Sequence, residues 1–468
     1  MNTSTHVIAT EIIDDLKASL NGRVILPDSQ DYDEARAVWN GMIDRYPAII
    51  VRCEDVSDVI AAVKAARSAD LLVSVRGGGH NVAGHATNDG GMVIDLSPMR
   101  QISVDPERRT ASAQGGATWA DLDAATQPYG LATPGGEVSE TGIAGLTLGG
   151  GMGYLRRKHG LSCDNVLSVD VVTADAELLH ADASENADLY WAVRGGGGNF
   201  GIVTRFEYQL HPIGPEVATA TALYPFESAA RIMQAWQRYT LTAPDEVTSA
   251  FGFWAIPPIP DFPEELHHRP VALLDAVYCG PLDQADEALR PLRQMAEPLV
   301  DLGGVSPFVE VQRGFDAFFP ARIQRYYWKS LNLRTITNEL IDTVIAQAAK
   351  RPSPQTVIFI RHLGGAMGRI PAEATAFGDR SAQYNLSLDS TWIDPADDAR
   401  NITWTRFAWE TLYEFSDGGV YLNFPGFMEE GEKLIRGQFG RNYQRLAQIK
   451  ARYDPTNFFR LNQNIKPG

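Results

Sequence analysis

The pattern of apolar and polar positions divides the chain into three stretches of different character. In the first, residues 48–52 and 71–75 are short apolar runs that read as strands. Between them Ser57 is a candidate N-cap for a helix running to Ala69, with Val59, Ile60, Val63 and Ala66 on one face. A strand, a helix and a strand within about 30 residues predict a right-handed crossover. Residues 1–40 read as short helical pieces. Strands are predicted at 92–96, 101–105, 109–115, 167–173 and 202–210, with a turn and strand end over 175–182. Thr118 opens a helix to about Gln127, and 188–193 forms a short one.

Past Pro212-Ile213-Gly214-Pro215 the pattern changes. Strand-like segments at 217–223, 271–278, 356–361 and 383–388 alternate with helical ones at 227–240, 282–295, 337–349 and 398–415. This predicts an antiparallel sheet with helices grouped on one face. At the C-terminus, 421–425 reads as a strand ending at proline and 429–453 as a helix that Asp454-Pro455 stops.

Glycine is dense at three places, where regular structure gives way. The first is Arg76-Gly77-Gly78-Gly79-His80-Asn81-Val82-Ala83-Gly84, at a strand end. Glycines without Cβ atoms let backbone N–H groups converge on an anion, and His80 is the chemically potent side chain there. The second spans Pro134 to Tyr154 and predicts backbone passing close to a flat ligand rather than a helix or central strand. The third, Gly196 to Gly201, is a formal GxGxxG. A helix-like segment precedes it and a strand follows, the reverse of a nicotinamide-dinucleotide fingerprint.

Composition narrows the classes. At 468 residues the chain has room for two to three domains. A net charge of −17 argues against nucleic acid or an anionic membrane as partner. Cys53, Cys163 and Cys279 are odd in number and scattered, so neither a disulfide framework nor a metal site is expected. No run approaches a membrane span, and a cytoplasmic location fits this usage. Oligomeric state is not legible.

In joint order, 76–84, 149–154 with 161–166, 194–203, 421–423 and 439–465 resemble the FAD-linked oxidases with a vanillyl-alcohol-oxidase (PCMH-type) flavin domain, berberine-bridge-enzyme-like branch, in its bacterial form. The resemblance implies an α+β fold. A PCMH-type FAD-binding domain of two α+β subdomains would occupy 1–213, mainly about 42–213. An antiparallel-sheet substrate domain covered by helices would follow at 214–420, and 421–468 would return to the flavin domain.

The resemblance also implies FAD, bonded covalently through His80 to the flavin 8α carbon. Further cofactor contacts carry over to Arg76, Gly77, Gly78, Gly79, Asn81 and Gly84, then to Pro134, Gly135, Val138, Ser139, Thr141, Gly142 and Gly145. Gly149, Gly150, Gly153, Tyr154, Asp164 and Asn165 follow, with Gly198, Gly201, Ile202, Val203, Asn423, Asn462 and Asn464. A second, cysteinyl tether of many relatives falls on Val138, so a single link is expected. Thr141 falls beside the oxygen-reactive carbon, where a small side chain suits an oxidase.

The family chemistry takes a hydride from an alcohol or amine carbon of a small molecule while a base takes the O–H or N–H proton; molecular oxygen then yields peroxide. The usual base is the second tyrosine of Tyr-x-Asn-Tyr. Here the strand reads Tyr421-Leu422-Asn423-Phe424, with phenylalanine in that place. Tyr421 and Tyr384 are taken as the catalytic candidates, with Tyr326, Tyr327, His362 and Asp389 as others. A buried phenol acting as base needs a cation nearby, and Arg325 or Arg380 is available. Trp254, Trp328 and Trp392 are candidates to stack on a substrate ring. A sugar and a secondary metabolite both remain open as substrate. So do a dehydrogenase with another acceptor and a flavoprotein that only binds a ligand.

Overall fold

Among the described residues, strand pairing gives two small sheets, one large one and a two-stranded antiparallel pair of Leu131–Ala132 with His211–Pro212. A computed structural model describes residues 8–425 and 432–468. The first sheet has the order Arg23–Ile25, Ile49–Arg52, Met92–Asp95, Val73–Arg76. Its first pair is antiparallel and the others parallel. Thus 49–52 and 73–76 run parallel without being neighbours, because Met92–Asp95 lies between them. The helix Val56–Ser68 buries Val59, Ala62, Val63 and Ala66 in the core of this sheet. Its cap is Asp55, not Ser57: the Asp55 carboxylate accepts the N–H groups of Ser57 and Asp58. Arg23–Ile25, within the stretch read as helical, is a strand.

The second sheet is antiparallel, in the order Ile102–Asp105, Thr110–Gln114, Ile202–Gln209, Val166–Val172, Leu178–Asp182. Its core takes in the helix Ala187–Val193 and the C-terminal helix Tyr443–Tyr453, through Trp191, Phe200, Leu446 and Ile449. Thr118 caps the helix Trp119–Thr126 in a capping box with Asp121.

The third sheet has nine antiparallel strands. Its main path is Val300–Asp301, Ala222–Pro225, Pro270–Tyr278, Val247–Ala255, Val357–His362, Tyr384–Trp392, Arg325–Leu333. Helices Ala229–Thr240, Ala285–Arg293, Asn338–Ala348 and Asp398–Tyr413 cover one face and bury Trp236, Leu289, Leu340 and Leu412 against it.

Several expectations change. Val247–Ala255 and Arg325–Leu333 were not legible as strands: the first is buried almost throughout and so lacks alternation. Residues 217–223 form parts of two strands, Glu216–Thr219 and Ala222–Pro225. The glycine-dense second region contains a short helix, Ile143–Leu148, because Ile143, Ala144, Thr147 and Leu148 share a buried face. Residues 421–425 form a turn, not a strand. Their backbone bonds locally, Phe424 N–H to Tyr421 O, and to a side chain, Tyr421 N–H to Ser330 Oγ, rather than to a ladder. The helix expected over 429–453 is Glu432–Phe439 and Tyr443–Tyr453 with a tight turn between; 429–431 lie outside the described residues.

Candidate active site

All three glycine-rich regions meet at one cavity of about 290 Å³. Gly77, Gly78, Gly79, His80 and Asn81 line it from the end of strand Val73–Arg76. Thr141, Gly142, Gly145 and Gly149 line it from around the short helix, and Gly198, Gly201, Ile202 and Val203 from the third region. Gly78 and Gly142 pass backbone against backbone: a Cβ at Gly78 would lie 2.4 Å from Gly142 N, and one at Gly142 2.3 Å from Gly78 N. No residue with a side chain fits at either position without moving the chain. The Gly78 and Gly79 backbone N–H groups meet no backbone acceptor among the described residues.

His80 stacks on Trp39 with ring centroids 4.0 Å apart, and Trp39 stacks on Tyr326 at 3.7 Å. Among the described residues the buried His80 Nε2 has no hydrogen-bond partner. Burial pushes the imidazole down to about 3, so it is neutral at physiological pH. Asn40 fixes this corner by donating to the carbonyls of Val82 and Tyr326 at 2.7 and 2.9 Å.

The opposite wall is the face of the large sheet away from its helices. Period-two alternation decides what it presents. On Tyr384–Trp392, Tyr384, Leu386 and Leu388 enter the helix-side core, while Ser387 and Asp389 take the other face. On Val357–His362, Ile358 and Ile360 enter the core, and Phe359 and Arg361 line the cavity. On Arg325–Leu333, Trp328 lines the cavity, directly across the ladder from Asp389.

A buried charge network sits on this wall. Glu137 Oε2 accepts from Arg361 Nε at 3.0 Å and its Oε1 from Arg156 Nη1 at 3.2 Å. Burial pushes Glu137 up, but the two guanidinium groups outweigh it and hold the carboxyl below its usual range. Arg361 also donates to Ser387 Oγ at 2.7 Å and lies 3.6 Å from Asp389 Oδ2. Asp389 is 1% exposed and its Oδ1 has no partner among the described residues. Burial pushes its carboxyl up to about 6, against the opposing charge of Arg361. Around it stand Phe315, Phe319, Trp328, Phe359 and Phe424.

The remaining sequence candidates divide cleanly. Val138, Tyr421, Asn423 and Asn462 line the cavity with those named above. Tyr421 Oη accepts from the N–H groups of Gly151 and Met152, both at 3.1 Å, and from Asn423 Nδ2 at 2.8 Å. Burial pushes this phenol up to about 12, so it anchors the glycine loop rather than serving as a base.

Others do not line the cavity. Arg76 donates to the carbonyls of Ala35 and Ala86. Gly84 packs on Ile43, Gly135 on Trp119 and Gly150 on Phe377, while Gly153 abuts the Gly135 carbonyl. Pro134 and Tyr154 are buried, Tyr154 in a satellite core with Ile213 and Phe308. Ser139 donates to the Asp316 carboxylate through both N–H and Oγ. Asp164 pairs with Arg380, Asn165 donates to the carbonyls of His159 and Leu161, and Asn464 carries a buried unpartnered Oδ1.

Among the base candidates, Tyr384 is displaced from the site: its hydroxyl lies 2.6 Å from Thr240 Oγ1 on the helix side. Tyr326 donates to the Pro320 carbonyl, Tyr327 meets Arg406, and His362 lies against Arg157. Arg325 pairs with Asp398 and Arg380 with Asp164, so neither lowers a tyrosine. Of the three tryptophans, Trp254 packs on Phe318 and Trp392 donates to Asp398, leaving Trp328 at the cavity. Glu137 and Arg361 were missed by sequence reading; Glu137 sits beside the glycine pair 135–136 and Arg361 ends a strand predicted to be apolar.

A family model for an FAD binding domain matches residues 47–182, and one described as berberine and berberine like matches 420–466. The chain is 32% identical over 464 residues to the uncharacterized FAD-linked oxidoreductase YgaK of Bacillus subtilis (strain 168), covering 96% of this chain and 98% of that protein. It is 30% identical to (R)-6-hydroxynicotine oxidase of Paenarthrobacter nicotinovorans, over 96% and 97% of the two chains. The crystal structure of 6-hydroxy-D-nicotine oxidase from Arthrobacter nicotinovorans superposes with a TM-score of 0.84 at 27% identity, over 96% of this chain and 99% of that one. With a flavin-domain match at one end, a berberine-like match at the other and whole-length relatives between, the chain belongs to the berberine-bridge-enzyme-like family of FAD-linked oxidoreductases, and it is an FAD enzyme of that α+β fold.

Proposed function

We propose that this oxidoreductase removes hydride from the carbon of a small alcohol or amine, with Asp389 as the base and molecular oxygen as the final acceptor. The residues present fit FAD. Three glycine loops converge without Cβ atoms in the way, and among the described residues two loop N–H groups meet no acceptor and Asn462 Oδ1 and Gln463 Oε1 on the rim are buried without partners. Gly77 to Asn81, Gly142, Gly145, Gly149, Gly198 and Asn462 would hold the cofactor, which supplies the two-electron acceptor when bound. We assign the covalent tether to His80: its ring is neutral, buried and lacks a partner at Nε2, the state in which an imidazole nitrogen is free to form a bond.

One observation carries the catalytic reading. Asp389 is the carboxylate of the cavity wall with an oxygen free of any described partner. A carboxyl held near 6 is largely ionised at neutral pH, yet basic enough to take a hydroxyl proton as the C–H bond breaks. Arg361, fixed by Glu137 and Ser387, limits how far burial raises it. Asp389 thus stands in for the phenol that is missing at Phe424. The modest side chain of Thr141 on the cavity supports the oxygen reading.

Anaerobic mixing with candidate alcohols and amines tests the reaction. Flavin bleaching that Asp389→Asn slows, followed by rapid return of colour in air, is expected. Bleaching unaffected by Asp389→Asn contradicts the base assignment, and slow reoxidation contradicts the oxidase reading.

A further inference from the structure

We infer that the substrate is a flat aromatic alcohol whose hydroxyl is held between Asp389 and Trp328, and not a saccharide. The inference rests on the oxidase reading above and narrows it.

The wall opposite the glycine loops offers two unsatisfied polar groups of complementary kind. Asp389 Oδ1 is a buried acceptor and Trp328 Nε1–H a buried donor, each without a partner among the described residues. The two residues face each other across antiparallel strands, where Cβ atoms lie about 4.5–5.5 Å apart. Both line the cavity. A ligand hydroxyl satisfies the pair, donating to the carboxylate and accepting from the indole. A protonated amine cannot, because an ammonium group has no acceptor. It would also be set close to Arg361, whose guanidinium is 3.6 Å from Asp389.

The rest of this end is aromatic. Phe315, Phe319, Phe359 and Phe424 join Trp328 around the two polar groups. Arg361 itself lies over the Phe359 and Phe424 rings, 5.0 and 5.1 Å from their centroids; its Nε and Nη1 donate to Glu137 and Ser387, and its Nη2 faces Asp389 Oδ2. A saccharide would bring several hydroxyls to this wall, and each one buried there without a partner weakens binding. A flat ring gains aromatic contacts at the same surface.

Binding is separated from turnover by a tertiary alcohol, which has no carbinol hydrogen to give, and by working without air, where any oxidation of the xyloside would show as flavin bleaching rather than as a shift. We would titrate the holoenzyme with 2-phenylpropan-2-ol, its methyl ether and methyl xyloside, following the flavin absorption spectrum. The alcohol is expected to shift the spectrum at saturating dose, the ether to bind at least tenfold more weakly, and the xyloside to leave it unchanged. Trp328→Phe should weaken the alcohol about tenfold. Because Trp328 also packs near His80, Phe359→Leu serves as a second variant, with a loss of several-fold for the alcohol. Xyloside binding as tight as the alcohol, or no shift with any probe, overturns the inference. If 1-phenylethanol shifts the spectrum but never bleaches the flavin without air, the oxidation reading fails and only the ligand class, an aromatic alcohol, stands.

Discussion

At the scale of single residues, the chemistry depends on what burial does to Asp389, Glu137 and His80. As the proposed base, Asp389 must be ionised to accept a proton, so kcat/KM should rise with pH through about 6 and level off above it. Asp389→Asn should lower kcat/KM by about 10²–10⁴-fold and abolish that limb. A pH–rate profile of both proteins checks this; an unchanged limb in the variant contradicts it. Glu137 has a different task. It neutralises two guanidinium groups whose side chains are 1% and 7% exposed. Glu137→Ala leaves both charges buried without it and should cost about 3–5 kcal/mol in urea unfolding, with Glu137→Gln retaining part of that.

At the scale of elements, the loops and the sheet strands were legible to different degrees. The glycine loops announced themselves, because only glycine permits the backbone contact of Gly78 with Gly142. Gly142→Ala should therefore yield protein that folds poorly or is purified with well under half the flavin of wild type, read from the ratio of visible to ultraviolet absorbance. Full flavin content in that variant contradicts the close approach. The substrate wall was harder to read. Its polar residues sit on strands whose hydrophobic signal is carried by the other face. Tyr384 and Asp389, both candidates from the sequence, lie on one strand with opposite parity, and it is Tyr384 that points into the helix-side core. The strand Arg325–Leu333 carries Trp328 but mixes charged and aromatic residues, so it gave no periodic signal. Glu137 and Arg361 had no local signature, because their pairing joins positions 224 residues apart.

At the scale of the whole molecule, the C-terminal segment closes the glycine-loop end of the cavity, which Phe459, Leu461, Asn462 and Gln463 line. Lys450, fully buried, donates to Asp454 at 2.6 Å, to the Asn199 carbonyl at 2.7 Å and to the Phe459 carbonyl at 2.9 Å. It ties the tail to the third glycine loop. Lys450→Met leaves the buried Asp454 carboxylate without its cation, held only by the N–H groups of Phe458 and Phe459, and should destabilise the fold by about 3–5 kcal/mol, measured by thermal unfolding. Asp123, between the helices Trp119–Thr126 and Phe308–Arg313, adds a pH dependence. Its partner is Gln312 at 3.1 Å, and burial pushes its carboxyl up to about 7. A carboxyl raised on folding contributes stability that is complete below its unfolded value near 4 and lost as pH rises through 7. Wild type should thus lose on the order of 2–4 kcal/mol relative to Asp123→Asn between those limits.

The proposed chemistry requires FAD in the glycine-lined cavity with His80 bonded to it. Intact mass measurement of the purified, denatured chain tests that most directly. The wild-type polypeptide should carry the added mass of one FAD and His80→Ala should not. A wild-type chain at its bare polypeptide mass, or a His80→Ala chain still bearing flavin, contradicts it.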